Sequence, residues 1–310
     1  MDRSWLPSPP PDLTLRVGVA CAACRTRTPI PHPAPCALPL TTPREPPVSQ
    51  PSYDLLPGAA ESPVILHVPH SARAIPAAVR AGIVLDDAAL ERELDHITDA
   101  HTAELAEAAA KRAGVAPWRF VNRLSRLVVD PERFPDEREE MLAVGMGAVY
   151  TRTTHRRVLR NEPFDPGPLV ERYFRPYARA MTEAVAGRLA ATGRAVVIDV
   201  HSYPSRALPY ELHGAGPRPP VCLGTDAFHT PARLTEAARE AFAGCGETGL
   251  DSPFGGTYVP LEFYGTDARV GALMVEIRRD LYMTEPGGPA GAGADRLAAA
   301  LAVLVDAAGR

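Results

Sequence analysis

The sequence predicts an α/β fold, one sheet covered by helices on both faces, and three observations carry that prediction. Near-continuous apolar runs at residues 64–68, 195–200 and 272–277 read as strands buried on both sides. Between them lie stretches whose apolar residues recur three and four apart, the period of a helix. The 310 residues are 45% hydrophobic and 23% charged, ordinary for a globular chain and enough for one large domain.

The elements follow in order. Fifteen of the 34 prolines fall in residues 1–63. Proline removes backbone donors and restricts its preceding neighbour, so residues 1–60 are expected to be a disordered extension. Within it Cys21 and Cys24 have zinc-ribbon or redox spacing, but only Cys36 follows nearby, so they read as free thiols. A single folded domain is expected over residues 61–310. Its first strand, 64–68, is closed by Pro69-His70-Ser71. Residues 87–112 read as one long helix, with Leu90, Leu94, Ile97, His101 and Leu105 on its apolar stripe and Gly114 past its end. Strand-like pieces follow around Phe120 and over 127–129, then a second long helix over 169–189 that Gly193 stops. The strand 195–200, a short strand at 221–223, a helix over 231–243, the strand 272–277 and a closing Ala/Leu helix over 296–308 complete the domain.

Composition excludes several functions. No apolar run reaches the ~20 residues of a membrane span, and a formal net charge of -4 offers no basic footprint for nucleic acid or a lipid surface. The start Met1-Asp2-Arg3 lacks the apolar core of a secretory signal, and five scattered cysteines do not make a disulfide scaffold. A cytoplasmic protein acting on a small molecule is expected, with its oligomeric state left open.

The chemistry lies where strands end, as ligand crevices do in open α/β sheets. Two strands each deliver an imidazole followed by a serine, His70-Ser71 and His201-Ser202. Two imidazoles plus one carboxylate would leave zinc an open position for water. The helix before residue 112 offers Glu91, Asp95 and Asp99 at i, i+4 and i+8, on one face of an unbroken helix. Like charges so placed repel unless a cation neutralises them. Glu276 follows four apolar residues in a strand, where a charge needs a partner. It reads either as a general base for a metal site or as an ion pair with Arg278 or Arg279. Around 122–133 the guanidinium groups of Arg123, Arg126 and Arg133 suit a carboxylate substrate or plain surface charge.

Six motifs in order resemble the N-formylglutamate amidohydrolases, over residues 62–283. They are His67-Val68-Pro69-His70-Ser71, Glu93-Leu94-Asp95-His96-Ile97-Thr98-Asp99 and Ser125-Arg126-Leu127-Val128-Val129-Asp130-Pro131-Glu132-Arg133. The others are Ile198-Asp199-Val200-His201-Ser202, Pro253-Phe254-Gly255-Gly256-Thr257-Tyr258 and Glu276-Ile277-Arg278-Arg279-Asp280-Leu281-Tyr282-Met283. The resemblance implies a three-layer α/β/α fold with a mixed, mostly parallel central sheet, similar to zinc carboxypeptidases and other phosphorylase/hydrolase-like folds. It implies metal-dependent hydrolysis of an N-formyl or N-acyl amino acid, N-formyl-L-glutamate above all, to formate and L-glutamate. Carried onto this chain, Zn2+ or another divalent metal would be held by His70, Asp95 and His201, with Asp99 and His67 as alternatives. Glu276 would be the base, Arg126, Arg133 or Arg279 would hold the substrate carboxylate, and Tyr282 would supply a hydroxyl. The chain departs from the pattern at Arg73, where the glutamate of a carboxypeptidase HxxE pair would stand. It departs again at Glu132, where the family usually has asparagine, and near Asp251. The rival expectations are a carboxypeptidase-like or other N-acyl-amino-acid hydrolase and, from a different class, a non-catalytic small-acid binding protein.

Overall fold

The computed structural model describes residues 51–214 and 216–310, and the readings made for residues 1–50, with Cys21 and Cys24, lie outside them. Seven strands form one mixed sheet in the order β1-β3-β2-β4-β7-β5-β6. They are β1 (Tyr53–Leu56), β2 (Val64–Val68), β3 (Trp118–Asn122), β4 (Ala195–Tyr203), β5 (Val221–Gly224), β6 (Thr248–Leu250) and β7 (Val270–Arg278). The central four, β3, β2, β4 and β7, run parallel. The edge strand β1 is antiparallel to β3, and β5 is antiparallel to β7. Parallel neighbours need crossovers, and the helices supply them.

The helices are α1 (Ala77–Arg80), α2 (Asp87–Ile97), α3 (Thr102–Arg112), α4 (Gly167–Leu169), α5 (Arg175–Thr192), α6 (Ala232–Phe242) and α7 (Gly293–Gly309). Side chains alternate across a strand, so each strand feeds two cores. Val196, Ile198 and Val200 of β4 pack with Leu105 of α3, Phe242 of α6 and Leu301 of α7. Ala195 and Val197 point the other way, onto Tyr177, Met181 and Val185 of α5. Helices thus cover both faces, the α/β architecture expected from the sequence.

Three expectations are corrected. Residues 51–60 were assigned to the extension, yet Tyr53–Leu56 form the edge strand β1, with the Tyr53 ring stacked on Phe120 at 4.9 Å. Residues 127–129 form no strand, the first two lying in a turn, and their apolar side chains are buried all the same. The long helix over 87–112 is two helices, because the chain leaves helical geometry at Thr98 and returns through His101 at φ 66°. The break is held by the Asp99 N–H, which donates to the His70 carbonyl at 3.0 Å. It decides which carboxylate reaches the site.

Candidate active site

Parity along the strands assembles the site. On the α5 face, β4 presents Ala195, Val197, Asp199 and His201 in alternation, and β7 presents Ala272, Met274 and Glu276. The apolar face therefore turns polar towards the carboxyl ends of the strands. His201 lies opposite Glu276 in the β4–β7 register, and His67 lies opposite Asp199 in the β2–β4 register. His70 follows β2 two residues beyond its end. All five of these side chains belong to residues less than 9% exposed.

His70 Nδ1 lies 3.2 Å from His201 Nδ1. Asp99 Oδ2 completes the group, 3.1 Å from His201 Nδ1 and 3.7 Å from His70 Nδ1. One imidazole nitrogen from each histidine and one carboxylate oxygen so close together are the donors and spacing a tetrahedral zinc ion requires at ~2.0–2.2 Å per bond. The residues present therefore fit a divalent metal. Each imidazole is backed by a carboxylate on its far nitrogen, as ligand histidines are. His70 Nε2 is hydrogen-bonded to Asp130 Oδ1 at 2.9 Å, and His201 Nε2 lies 3.0 Å from Asp199 Oδ1 without hydrogen-bond alignment.

Asp95 does not join them. Arg73 Nη1 donates to Asp95 Oδ1 at 2.8 Å and Arg73 Nη2 to Glu91 Oε2 at 2.7 Å, so this arginine neutralises the acidic ridge on α2. The i, i+8 relation that placed Asp99 on the same face fails at the helix break, which turns Asp99 inward instead. His67 is buried within β2, its Nδ1 2.9 Å from Asp199 and its Nε2 2.6 Å from the Tyr177 hydroxyl.

The arginines divide. Arg279 donates to Asp99 Oδ1 at 3.0 Å, to the His96 carbonyl at 2.6 Å and to the Ser202 carbonyl at 3.0 Å. It is spent on holding Asp99 rather than on a substrate carboxylate or on Glu276. Arg126 Nη2 donates to Asp130 Oδ2 at 2.7 Å. Arg133 is the looser group, 3.5 Å from Asp130 and 3.6 Å from Glu139, with a buried Nε that has no hydrogen-bond partner. Tyr282 is turned away, its hydroxyl donating to the Ala100 carbonyl at 2.7 Å, and it does not line the cleft. Glu276, by contrast, lines a cleft of about 580 Å³ with His70, Asp99, His201, Arg126 and Arg133. Its Oε2 is buried and has no hydrogen-bond partner.

Electrostatics follow from burial and pairing. Burial pushes the Glu276 carboxyl up to about 7, with the Asp99 charge adding to it and His201 opposing. Burial would also raise Asp99, but the His201 and His70 hydrogen bonds and the His70 and Arg279 charges hold it far below the usual carboxylate range. Burial and Arg126 would lower His70, yet Asp130 and Asp99 outweigh them and raise it. Burial likewise opposes charge on His201, and Asp199 and Glu132 carry it well upward. An incoming cation therefore competes with protons for both imidazoles.

Two carboxylates escaped the sequence reading. Asp199 sits within an apolar strand, the very signal that singled out Glu276. Glu132 was noted only as a departure, and here its Oε2 is 3.1 Å from His201 Nε2 and 3.6 Å from His70 Nε2. Burial and then the Asp199 charge raise its pKa.

A family model, N-formylglutamate amidohydrolase, matches residues 62–283. The chain belongs to the N-formylglutamate amidohydrolase family. Its members are hydrolases of amide bonds, so the chain is an enzyme of that class and the non-catalytic binding protein is set aside. The fold of the family is also found by comparison with solved structures. A crystal structure of an N-formylglutamate amidohydrolase from Ralstonia eutropha JMP134 superposes with a TM-score of 0.70 at 23% identity, covering 82% of this chain and 96% of that one. The gene product Atu2144 from Agrobacterium tumefaciens gives 0.62 at 19% identity, covering 83% and 94%. No functionally curated protein matches the chain. In this member of the family, the matched segment contains every residue of the His70–Asp99–His201 group and Glu276.

Proposed function

We propose that this enzyme hydrolyses the amide bond of an N-formyl or other N-acyl amino acid, N-formyl-L-glutamate first, in a metal-dependent reaction that yields formate and L-glutamate. The observation that carries the reading is Glu276: a buried carboxyl with a free oxygen, poised near neutral pH, lining the cleft beside His70, Asp99 and His201. These last three would hold the divalent ion, with zinc favoured by two nitrogens and one oxygen. When bound, such an ion acidifies water and polarises the formyl carbonyl. Glu276 accepts the attacking water's proton and returns it to the leaving amine, the task of a group whose pKa lies near the working pH. Arg133, which lines the cleft and is held less tightly than Arg126, binds the substrate carboxylate, and Arg126 keeps Asp130 charged and aimed at His70. Asp99 replaces Asp95 in the ligand set, and Arg279 and Tyr282 leave the substrate-binding set. The buried free thiols Cys222 and Cys245 support a reducing, cytoplasmic setting.

The test is formate release from N-formyl-L-glutamate, with metal content measured on the same sample. Glu276→Gln keeps its metal and loses ~10²–10⁴ in turnover, the range for removing a general base. A metal-loaded Gln variant with parental turnover would remove Glu276 from the mechanism. A metal-loaded parent that releases no formate, but cleaves another N-acyl amino acid, would move the substrate.

A further inference from the structure

His67 is fully buried in the middle of β2, where an imidazole is costly unless both ring nitrogens are satisfied. Both are. Its Nε2 lies 2.6 Å from the Tyr177 hydroxyl, which α5 delivers from across the core. Its Nδ1 lies 2.9 Å from Asp199 Oδ1, and the same oxygen lies 3.0 Å from His201 Nε2. Close contacts therefore run from Tyr177 to the far nitrogen of His201, through residues no more than 3% exposed, and the last of them, Asp199 Oδ1 to His201 Nε2, is near enough for a hydrogen bond without being aligned as one.

Direction along this path is fixed by chemistry. A carboxylate oxygen accepts, so His67 Nδ1 meets Asp199 as an N–H donor, and His201 Nε2, 3.0 Å from the same oxygen, is placed to donate to it once the ring turns into line. His67 Nε2 is then an acceptor, and the Tyr177 hydroxyl donates to it. Burial pushes that hydroxyl's pKa well up, so the phenol keeps its proton. A proton on His201 Nε2 leaves Nδ1 with the free lone pair, and Nδ1 is the nitrogen beside His70 and Asp99. With both ring nitrogens so engaged we give His67 no ligand role here, although Glu132 and Asp199 lie close enough to form a group with it.

We propose that Tyr177 and His67 are positioning residues for the metal centre, acting through Asp199 to fix the tautomer and orientation in which His201 offers Nδ1. The inference rests on the proposed reading of His70, Asp99 and His201 as metal ligands. It goes further by giving two residues of the core, neither touching the metal, a measurable share in metal affinity.

The experiment measures zinc dissociation constants of the full chain at one pH, by competition with a chromophoric chelator, alongside melting temperatures of the metal-free proteins. His67→Leu weakens zinc binding by ~10–100-fold, the scale for losing an outer partner of a ligand histidine, and Tyr177→Phe weakens it by at least ~3-fold. In His67→Asn the amide nitrogen stands in for Nδ1 and still donates to Asp199, so zinc binds more tightly than in His67→Leu. Phe120→Leu is the packing control, since Phe120 contacts the rings of both His67 and Tyr177. It lowers the melting temperature and leaves zinc affinity unchanged. Should His67→Leu fail to fold, Tyr177→Phe decides, because it removes one oxygen atom. Parental zinc affinity in Tyr177→Phe overturns the proposal, and so does an equal loss in Phe120→Leu. A parent chain that binds no zinc or other divalent ion refutes the ligand reading itself, which is a different result.

Discussion

Asp95 and Asp99 are four residues apart and chemically alike, yet their surroundings give them opposite work. Asp95 is about one-third exposed and paired with Arg73, whereas Asp99 is buried against two imidazoles and Arg279. Asp99→Asn is therefore expected to lose the metal, and Asp95→Asn to keep it; metal analysis of the two purified variants checks this. Arg279→Leu strands the Asp99 carboxylate without its cation. Breaking such a buried pair costs ~3–5 kcal/mol, so the variant melts well below the parent. Glu276 gives a pH signature. Between its ordinary value of 4.5 and about 7 the unfolded chain has released this proton while the metal-free fold still holds it. The fold binds more protons there, so its stability falls as pH rises. Glu276→Gln removes that penalty. Thermal melts in chelator should show the Gln variant gaining on the parent from pH 4.5 to 7 and holding a constant lead above, and a lead that shrinks with rising pH would contradict the burial of this carboxyl.

Elements explain what could be read from sequence and what could not. Strands such as 64–68 and 272–277 were legible because burial on both faces leaves an apolar run with few alternatives. The two helices α2 and α3 merged into one because the stripe Leu90, Leu94, Ile97, Leu105 continues across the break, and hydrophobic periodicity does not record the four-residue interruption between Ile97 and Thr102. That interruption is where Asp99 becomes a site residue, so Asp95 was placed first for the same reason. Tyr282 stood in a matching motif, but its hydroxyl partner is a carbonyl at Ala100, a tertiary contact no spacing announces. The edge strand β1 was hidden by prolines at 51 and 57 that flank it rather than interrupt it. Tyr53→Ala removes the stack on Phe120 and is expected to destabilise the domain by ~1–2 kcal/mol, the pair's worth plus part of its buried area. A chain starting at residue 51 should then unfold at higher denaturant than one starting at residue 61, and equal midpoints would show that β1 adds nothing.

At the scale of the whole molecule, the site stands on the three adjacent strands β2, β4 and β7, the middle of the sheet. The proposed histidine ligands, drawn from the centre, cannot separate without opening the core, so metal release and global unfolding should share one transition. Metal bound only to the folded state adds ~1.4 kcal/mol for each tenfold rise above its dissociation constant. Melts by circular dichroism and by metal release should therefore coincide and move together with metal concentration. The Asp99 amide, donated to the carbonyl of His70 across the helix break, gives this coupling a local clock. The backbone of one proposed ligand is there tied to the backbone of the next. Hydrogen exchange at that one amide therefore times how often the gap between two helices opens, and saturating metal should slow it far more than the amides of α6.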